Sequence, residues 1–200
     1  MIEFGFADAV TFRRVKVSCT TRRFRMVAID PKTPGPFIPL ASLAQDGWSN
    51  DDEATATCLC GTVQFAFSTQ EKHILNRFVC HCADCRKLSS SMFCSAFSVP
   101  EEAVRFLRGK DNVKVFQHHQ TTASGKAMSN YFATCGNLMY RTSAMQEGFY
   151  IIRLGVVDDF RLAETKLRPN MEVYIGTKVD WVPQLENMAQ IGDVMALAKE

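Results

Sequence analysis

The chain has no apolar run long enough to span a bilayer. None reaches the roughly 18 residues a membrane helix needs, and the longest patches are broken by charges or glycine. Nor is there much net charge. Lys and Arg number 23 against 21 Asp and Glu, leaving +2, so no global field draws the protein to nucleic acid or to an anionic membrane. The first residues lack the basic-then-apolar order of a secretory signal and carry Glu3 and Asp8, so secretion is not expected. Repeats and low-complexity tracts are absent too. In their place stand 200 residues, 46% hydrophobic and 22% charged, the balance of one globular domain whose core needs no cross-links. Eight cysteines are the outlier.

They are Cys19, Cys58, Cys60, Cys80, Cys82, Cys85, Cys94 and Cys135, with five packed into a CLCG run and a CHCADC run. A disulfide framework suits small secreted domains, and two cysteines separated by one residue make a strained bridge. Thiolates two and three positions apart can instead turn toward one ion. Soft sulfur ligands select zinc, less often copper(I) or iron–sulfur, in a reducing compartment. The spacing therefore predicts metal binding, with redox chemistry and disulfides as the alternatives. The cytosol is the expected location and mitochondria the second choice.

Residues 1–53 read as an N-terminal extension, partly disordered. Its first fifty residues hold seven basic side chains against Glu3, Asp8, Asp30 and Asp46, and residues 31–39 hold four of the seven prolines, which excludes a regular strand or helix there. The Arg-rich, acid-poor stretch 13–25 has the character of a transit peptide or of a solvated leader. Residues 54–187 form the domain, and short β patterns dominate it. Val63, Phe65 and Phe67 alternate with polar or small residues, and Phe93, Ser95, Phe97 and Val99 repeat the alternation. VRFL, VKVF, GNLMYR, FYIIRLGVV and MEVYIG continue it between Gly-bearing turns, predicting a mostly β single domain. Only the tail, 188–200 with the residues just before it, carries helical spacing (Leu185, Met188, Ile191, Val194), which Gly192 weakens.

Cys80, Cys82 and Cys85 supply three corners of a tetrahedron. Three protein ligands are the stoichiometry of a catalytic zinc with an open position, and a fourth ligand such as Cys94 or a histidine would make the site a closed structural one. Cys58 and Cys60, followed by Gly61, and the distant Cys135, followed by Gly136, pinch separate parts of the domain together as a structural zinc does. The glycines fit tight turns at positive φ.

The runs CLCGTVQF (58–65), CHCADCRK (80–87), YFATCGNLMY (131–140), LGVVDD (154–159) and LRPNMEVYIGTKVDW (167–181) resemble the glutathione-dependent formaldehyde-activating enzyme (GFA) family, which also includes centromere protein V. The resemblance implies a β-tent zinc-binding fold with two zinc sites, a structural one on paired CxCG and FCxxCG motifs and a substrate-facing one on CHCxxC. It also implies a carbon–sulfur lyase joining formaldehyde to glutathione as S-hydroxymethylglutathione. Two departures matter. Phe132 stands where the family has a cysteine ligand, leaving the structural site with Cys58, Cys60 and Cys135. Completion by Cys19, Cys94, His73, His118, His119 or water, an empty site, and replacement by core packing of Phe132 all stay open. Ser89-Ser90 replaces the family's Ser-Gly.

The expected function is a zinc-dependent carbon–sulfur lyase-like enzyme acting on a small thiol adduct, with glutathione as co-substrate. Arg86 and Lys87 are candidates for its carboxylates or solvated surface charges. A zinc-stabilised binding module without catalysis is the alternative, and no nucleic-acid or membrane partner is expected. His81, wedged between ligands, is expected to point away from the ion; His118-His119 read as surface loop and Asp158-Asp159 as turn residues. Cys94 reads as a small buried hydrophobe and Trp181 as core or a lid.

Overall fold

Runs of β-branched and aromatic residues bounded by turn formers build two sheets in the computed structural model, which describes residues 35–39, 43–121 and 123–194. In chain order the elements are β1 (Glu53–Thr57), β2 (Gln64–Ser68), β3 (Arg77–Cys80), α1 (Ala83–Ser89), β4 (Cys94–Pro100), β5 (Val104–Arg108) and β6 (Lys114–His118). They continue with β7 (Met128–Phe132), β8 (Leu138–Ser143), β9 (Gln146–Arg153), α2 (Arg161–Glu164), β10 (Met171–Val173) and β11 (Ala189–Ile191). The small sheet has the order β1-β2-β5, and the large one β11-β10-β3-β4-β9-β8-β7-β6. Pairing is antiparallel except for β10, which runs parallel to both β3 and β11.

The large sheet has two working faces, because successive side chains of a strand leave on opposite sides. One face carries Phe97, Val99, Ile152 and Tyr140, register partners along β4, β9 and β8. It packs on Phe65 and Phe67 of the small sheet in one core. Phe67 meets Phe97 at 5.2 Å between ring centroids, and Tyr140 is stacked between Tyr131 and Tyr150 at 4.4 Å from each. The opposite face carries Phe78 and Cys80 of β3, Cys94 and Ala96 of β4, Ile151 and Arg153 of β9, and Arg141 of β8. That face holds the cysteine knuckle.

The alternation read along 93–99 finds one face of β4 and misses the other. Phe97 and Val99 are buried as expected, but Cys94, Ala96 and Ser98 are buried as well, because β4 lies inside the large sheet with both faces covered. The helical spacing of the tail fails for 189–191, which extend as β11 and pair with Met171–Val173; the ladder on β10 outweighs a weak helical pattern that Gly192 interrupts. Trp181 is neither core nor lid, being 73% exposed.

Residues 35–39 and 43–52, assigned to the extension, pack on the domain. The Asp159 carboxylate accepts from the Phe37 and Arg161 amides and from Ser49 Oγ, while Asp158 accepts from the hydroxyls of Thr55 and Thr57 at 2.6 Å each. Asp159 therefore clamps the chain preceding β1, and Asp158 holds β1 itself. Residues 1–34, with Cys19 and the 13–25 basic stretch, and the end of the tail from 195 lie outside the described residues.

Helix α1 ends on Ser90 at φ 53, the left-handed conformation that favours glycine at a helix C-terminus. A serine there costs on the order of 1 kcal/mol. Ser90→Gly is expected to stabilise the protein by about 0.5–1 kcal/mol in urea unfolding. An unchanged or lowered midpoint would contradict this.

Candidate metal centre and its cavity

The knuckle follows from local geometry. Strand β3 delivers Cys80, the chain turns, and Cys82 caps α1, its Sγ accepting from the Cys85 amide at 3.4 Å. Cys85 stands in the first turn of the helix. All three side chains are buried, and their sulfurs lie within 4.8 Å of one another. Tetrahedral zinc with Zn–S near 2.3 Å needs sulfur–sulfur edges of about 3.8 Å, so modest closure of this triangle accommodates the ion. Cys94 does not belong to the triangle. Among the described residues no His, Cys, Asp or Glu supplies a fourth ligand atom within that distance of all three.

Two buried arginines accompany the sulfurs. Arg141 Nη1 donates to Cys85 Sγ at 3.2 Å, and Arg153 Nη1 donates to Cys94 Sγ at 2.6 Å. Hydrogen bonds from the Cys80, Cys82 and Cys94 thiols hold Cys85 well below the ordinary thiol range against the opposing effect of burial, and the Arg141 charge adds to them. The same contacts with Cys82 and Cys85, together with burial, push Cys80 far up. Cys82 is raised to about 11, burial and its Cys85 contacts outweighing the lowering bond from Cys80. Three thiolates this close and this buried require a cation among them, which is the chemistry of a metal site.

His81 leaves the chain on the other side, as the alternation at 80–82 demands. It is fully buried, and its Nε2 lies 2.9 Å from Glu172 Oε1. Glu172 also accepts from Lys178 Nζ at 2.8 Å, Gln190 Nε2 at 2.7 Å and the Leu185 amide at 3.2 Å. Burial opposes its charge, but these donors prevail and bring the carboxyl to about 2. The network fastens the knuckle to the segment after β10.

Cys80 and Cys82 open into a cavity of about 250 Å³ that Arg141 and Tyr174 also line. Tyr174 follows β10 at φ 58, an unusual backbone for an aromatic residue. Burial, and then the Cys80 and Cys82 charges, push its phenol up to about 12, so it stays protonated at neutral pH. Arg86 and Lys87 do not line this cavity. They flank a separate cleft with Ser90, Ser91, Met92 and Thr177, and Arg86 donates to the Thr177 carbonyl at 3.2 Å.

The second predicted cluster also assembles. The sulfurs of Cys58, Cys60 and Cys135 lie within 4.8 Å of one another, with Cys58 buried and Cys135 exposed. Gly61 and Gly136 turn the chain at φ 76 and 81. Cys58 and Cys60 sulfurs are 3.5 Å apart, and the Val63 amide donates to Cys58. The Thr62 hydroxyl and amide bring Cys60 down to about 6, while burial raises Cys58. Of the candidate fourth ligands, Cys94 sits at the other cluster, His73 pairs with Ser68 Oγ, and His118 lies against Asn130. None joins this group among the described residues. Phe132 ends β7, half-buried, where the pairing with β8 shifts register.

A family model described as glutathione-dependent formaldehyde-activating enzyme matches residues 53–177, which include both cysteine clusters. The chain belongs to that family. Its two sheets with modest helical content are consistent with a GFA-like fold, and membership supports a role in glutathione and formaldehyde chemistry in general. A search of curated proteins finds no match. A solved structure of a Rhodobacter sphaeroides protein is similar at 21% identity, covering 51% of this chain and 85% of that one with a TM-score of 0.40. No helix among the described residues is long and apolar enough to cross a membrane.

The sequence reading missed Arg141, Arg153, Glu172 and Tyr174. Arg141 and Arg153 carried a signal, each being a charge inside a run of strand-forming apolar residues (LMYRT and YIIRL). A charge there is either an edge feature or, as here, a buried partner for another charge. Tyr174 shows itself only through its backbone.

Proposed function

We propose that the protein is a zinc-dependent carbon–sulfur lyase acting on a small thiol adduct of the S-hydroxymethylglutathione type, with Cys80, Cys82 and Cys85 as the ligands of its substrate-facing metal. The observation that carries this reading is the triangle of buried sulfurs, two of whose members form part of a cavity wall. A bound zinc would supply a Lewis acid able to hold an incoming thiol as its thiolate. The protein's own groups supply the remainder. Cys80 and Cys82 line the cavity, so an ion held by them and Cys85 would be within reach of a substrate thiol there. Arg141 compensates charge at Cys85, and the neutral Tyr174 phenol is a hydrogen-bond donor in the cavity wall. In the lyase direction the carbon–sulfur bond breaks with its electron pair returning to sulfur, and the adduct's hydroxyl gives up its proton as the carbonyl forms. Addition is the reverse, without net oxidation. Arg86 and Lys87 would meet the carboxylates of a glutathione whose peptide arms extend beyond the cavity. Cys58, Cys60 and Cys135 would hold a second, structural ion with one protein ligand fewer than the family pattern. Thiols in this number imply a reducing compartment such as the cytosol.

The test is exchange spectroscopy on carbon-13 formaldehyde mixed with glutathione. Zinc-loaded protein in catalytic amount should speed interconversion of free and adduct formaldehyde by at least roughly tenfold over buffer, about 1.4 kcal/mol of barrier. An unaltered rate with zinc bound at Cys80, Cys82 and Cys85 would overturn the reading.

A further inference from the structure

The cavity beside the knuckle is a poor match for a one-carbon hydroxymethyl group carried on a peptide thiol. Phe78, Met128, Met145, Ile151, Met171 and Ile191 build most of its wall. They come from five strands and a hairpin turn, and they face the cavity because they share the pleat of Cys80 or lie at its rim. Its polar members are largely engaged with protein. Thr121 and Ser124 bond each other at 2.6 Å, Gln146 accepts from Ser98, Ser143 accepts from the Met145 amide, and Asp84 accepts from the Ala123 amide. Arg141 and Asp84 are the charged side chains of the lining. Arg141 spends Nη1 on Cys85, whereas its buried Nε has no hydrogen-bond partner among the described residues.

That inventory selects a chemistry. Burying a carboxylate against this wall costs several kcal/mol unless it is paired, and Arg141 is the one cationic side chain among the described lining residues. A one-carbon group leaves most of the volume unfilled; at about 30 Å³ per water-sized group the cavity holds roughly eight heavy atoms. Methionines from three separate elements supply an adaptable apolar surface. We infer that the adduct handled at this site is an α-hydroxy thioether bearing an apolar arm, alkyl or aryl, with the arm lying in the cavity. The inference rests on the lyase reading above and specifies its substrate class. The reaction is the addition already balanced, in which a carbon–sulfur bond forms from thiol and aldehyde and the thiol proton ends on the former carbonyl oxygen. The arm comes either from the aldehyde or from the thiol.

Two measurements on the zinc-loaded full chain decide it. The first is calorimetric titration with n-alkanethiols from ethanethiol to hexanethiol. Affinity should rise about fourfold per methylene until the cavity fills, from the burial of each CH₂. Met145→Glu, which puts a charge at the half-exposed rim, should flatten that series, and Met145→Leu should restore it. The second is exchange spectroscopy on three pairs: formaldehyde with glutathione, hexanal with 2-mercaptoethanol, and formaldehyde with hexanethiol. At least one apolar pair should exchange faster than formaldehyde with glutathione by roughly tenfold or more, and the identity of the faster pair assigns the arm to aldehyde or thiol. A flat thiol series with formaldehyde–glutathione the best accelerated pair would overturn the inference while leaving the lyase reading standing. Acceleration of no pair with zinc bound would remove the lyase reading and this inference with it.

Discussion

Cys82→Ser is expected to strip the metal from the substrate-facing cluster and abolish adduct exchange. Cys82 has two duties in the knuckle. Its sulfur completes the triangle with Cys80 and Cys85, and it caps α1 by accepting from the Cys85 amide at 3.4 Å. A serine oxygen keeps the cap, since serine is a favoured N-cap residue. It is however a poor replacement for a soft thiolate on zinc. The helix should therefore survive while metal affinity falls by at least about 100-fold, more than the loss typical of a changed outer partner. Purified variant should hold one zinc per chain fewer than wild type, with far-ultraviolet dichroism little changed. Equal zinc in the two proteins would discard the triangle as a site.

Glu172→Ala should be the most destabilising single change outside the cysteines. The carboxylate is fully buried and accepts from His81, Lys178, Gln190 and the Leu185 amide. Its removal leaves a nearly buried ammonium and a buried imidazole without their acceptor. Breaking such a pair costs about 3–5 kcal/mol. Glu172→Gln, which keeps shape and one acceptor oxygen, should lose less. The pH dependence adds a signature of its own. The folded-state pKa, about 2, lies below the unfolded value near 4.3, so the native state binds the proton less readily. Stability from this group is complete above about pH 4.5 and is lost as pH falls toward 2. The difference in urea midpoint between wild type and Glu172→Gln should accordingly shrink over that interval. A difference constant from pH 7 to pH 2.5, or an Ala variant as stable as wild type, would refute the role assigned to the network.

The cluster at Cys80, Cys82 and Cys85 was legible in the sequence because its members are local and the chain's own spacing sets their geometry, whereas the joining of Cys135 to Cys58 and Cys60 across the chain was read from the Cys-Gly knuckles and the family motifs. Cys80, Cys82 and Cys85 assemble within six residues. The outward turn of His81 was legible for the same reason, being a matter of parity along an extended segment. Much of the strand content was also visible, as in Phe65 and Phe67 of β2 or the apolar stretch that became β9. What escaped depends on long-range pairing. Nothing local announces that Glu172 lies against His81, or that Arg141 meets Cys85 across the sheet. β11 escaped for a related reason, since three residues with no alternation form a strand only because β10 offers an edge. Trp181 misled because a large aromatic usually finds cover, and here the chain beyond β10 leaves it exposed. Among the described residues Cys58, Cys60 and Cys135 come together without a fourth ligand, and Phe132, whose ring cannot ligate, is the residue by which the sequence had marked this site as departing from the family pattern.

The central claim is that three sulfurs hold a metal whose remaining position faces the cavity. Cobalt(II) in place of zinc makes that position visible, because each bound thiolate contributes charge-transfer absorption in the near ultraviolet. Addition of glutathione to the cobalt-loaded Cys58→Ser/Cys60→Ser protein, which isolates the knuckle, should raise that absorption by about one-third as a fourth sulfur joins three. A spectrum indifferent to glutathione and to alkanethiols, from protein shown to carry cobalt at Cys80, Cys82 and Cys85, would contradict the account.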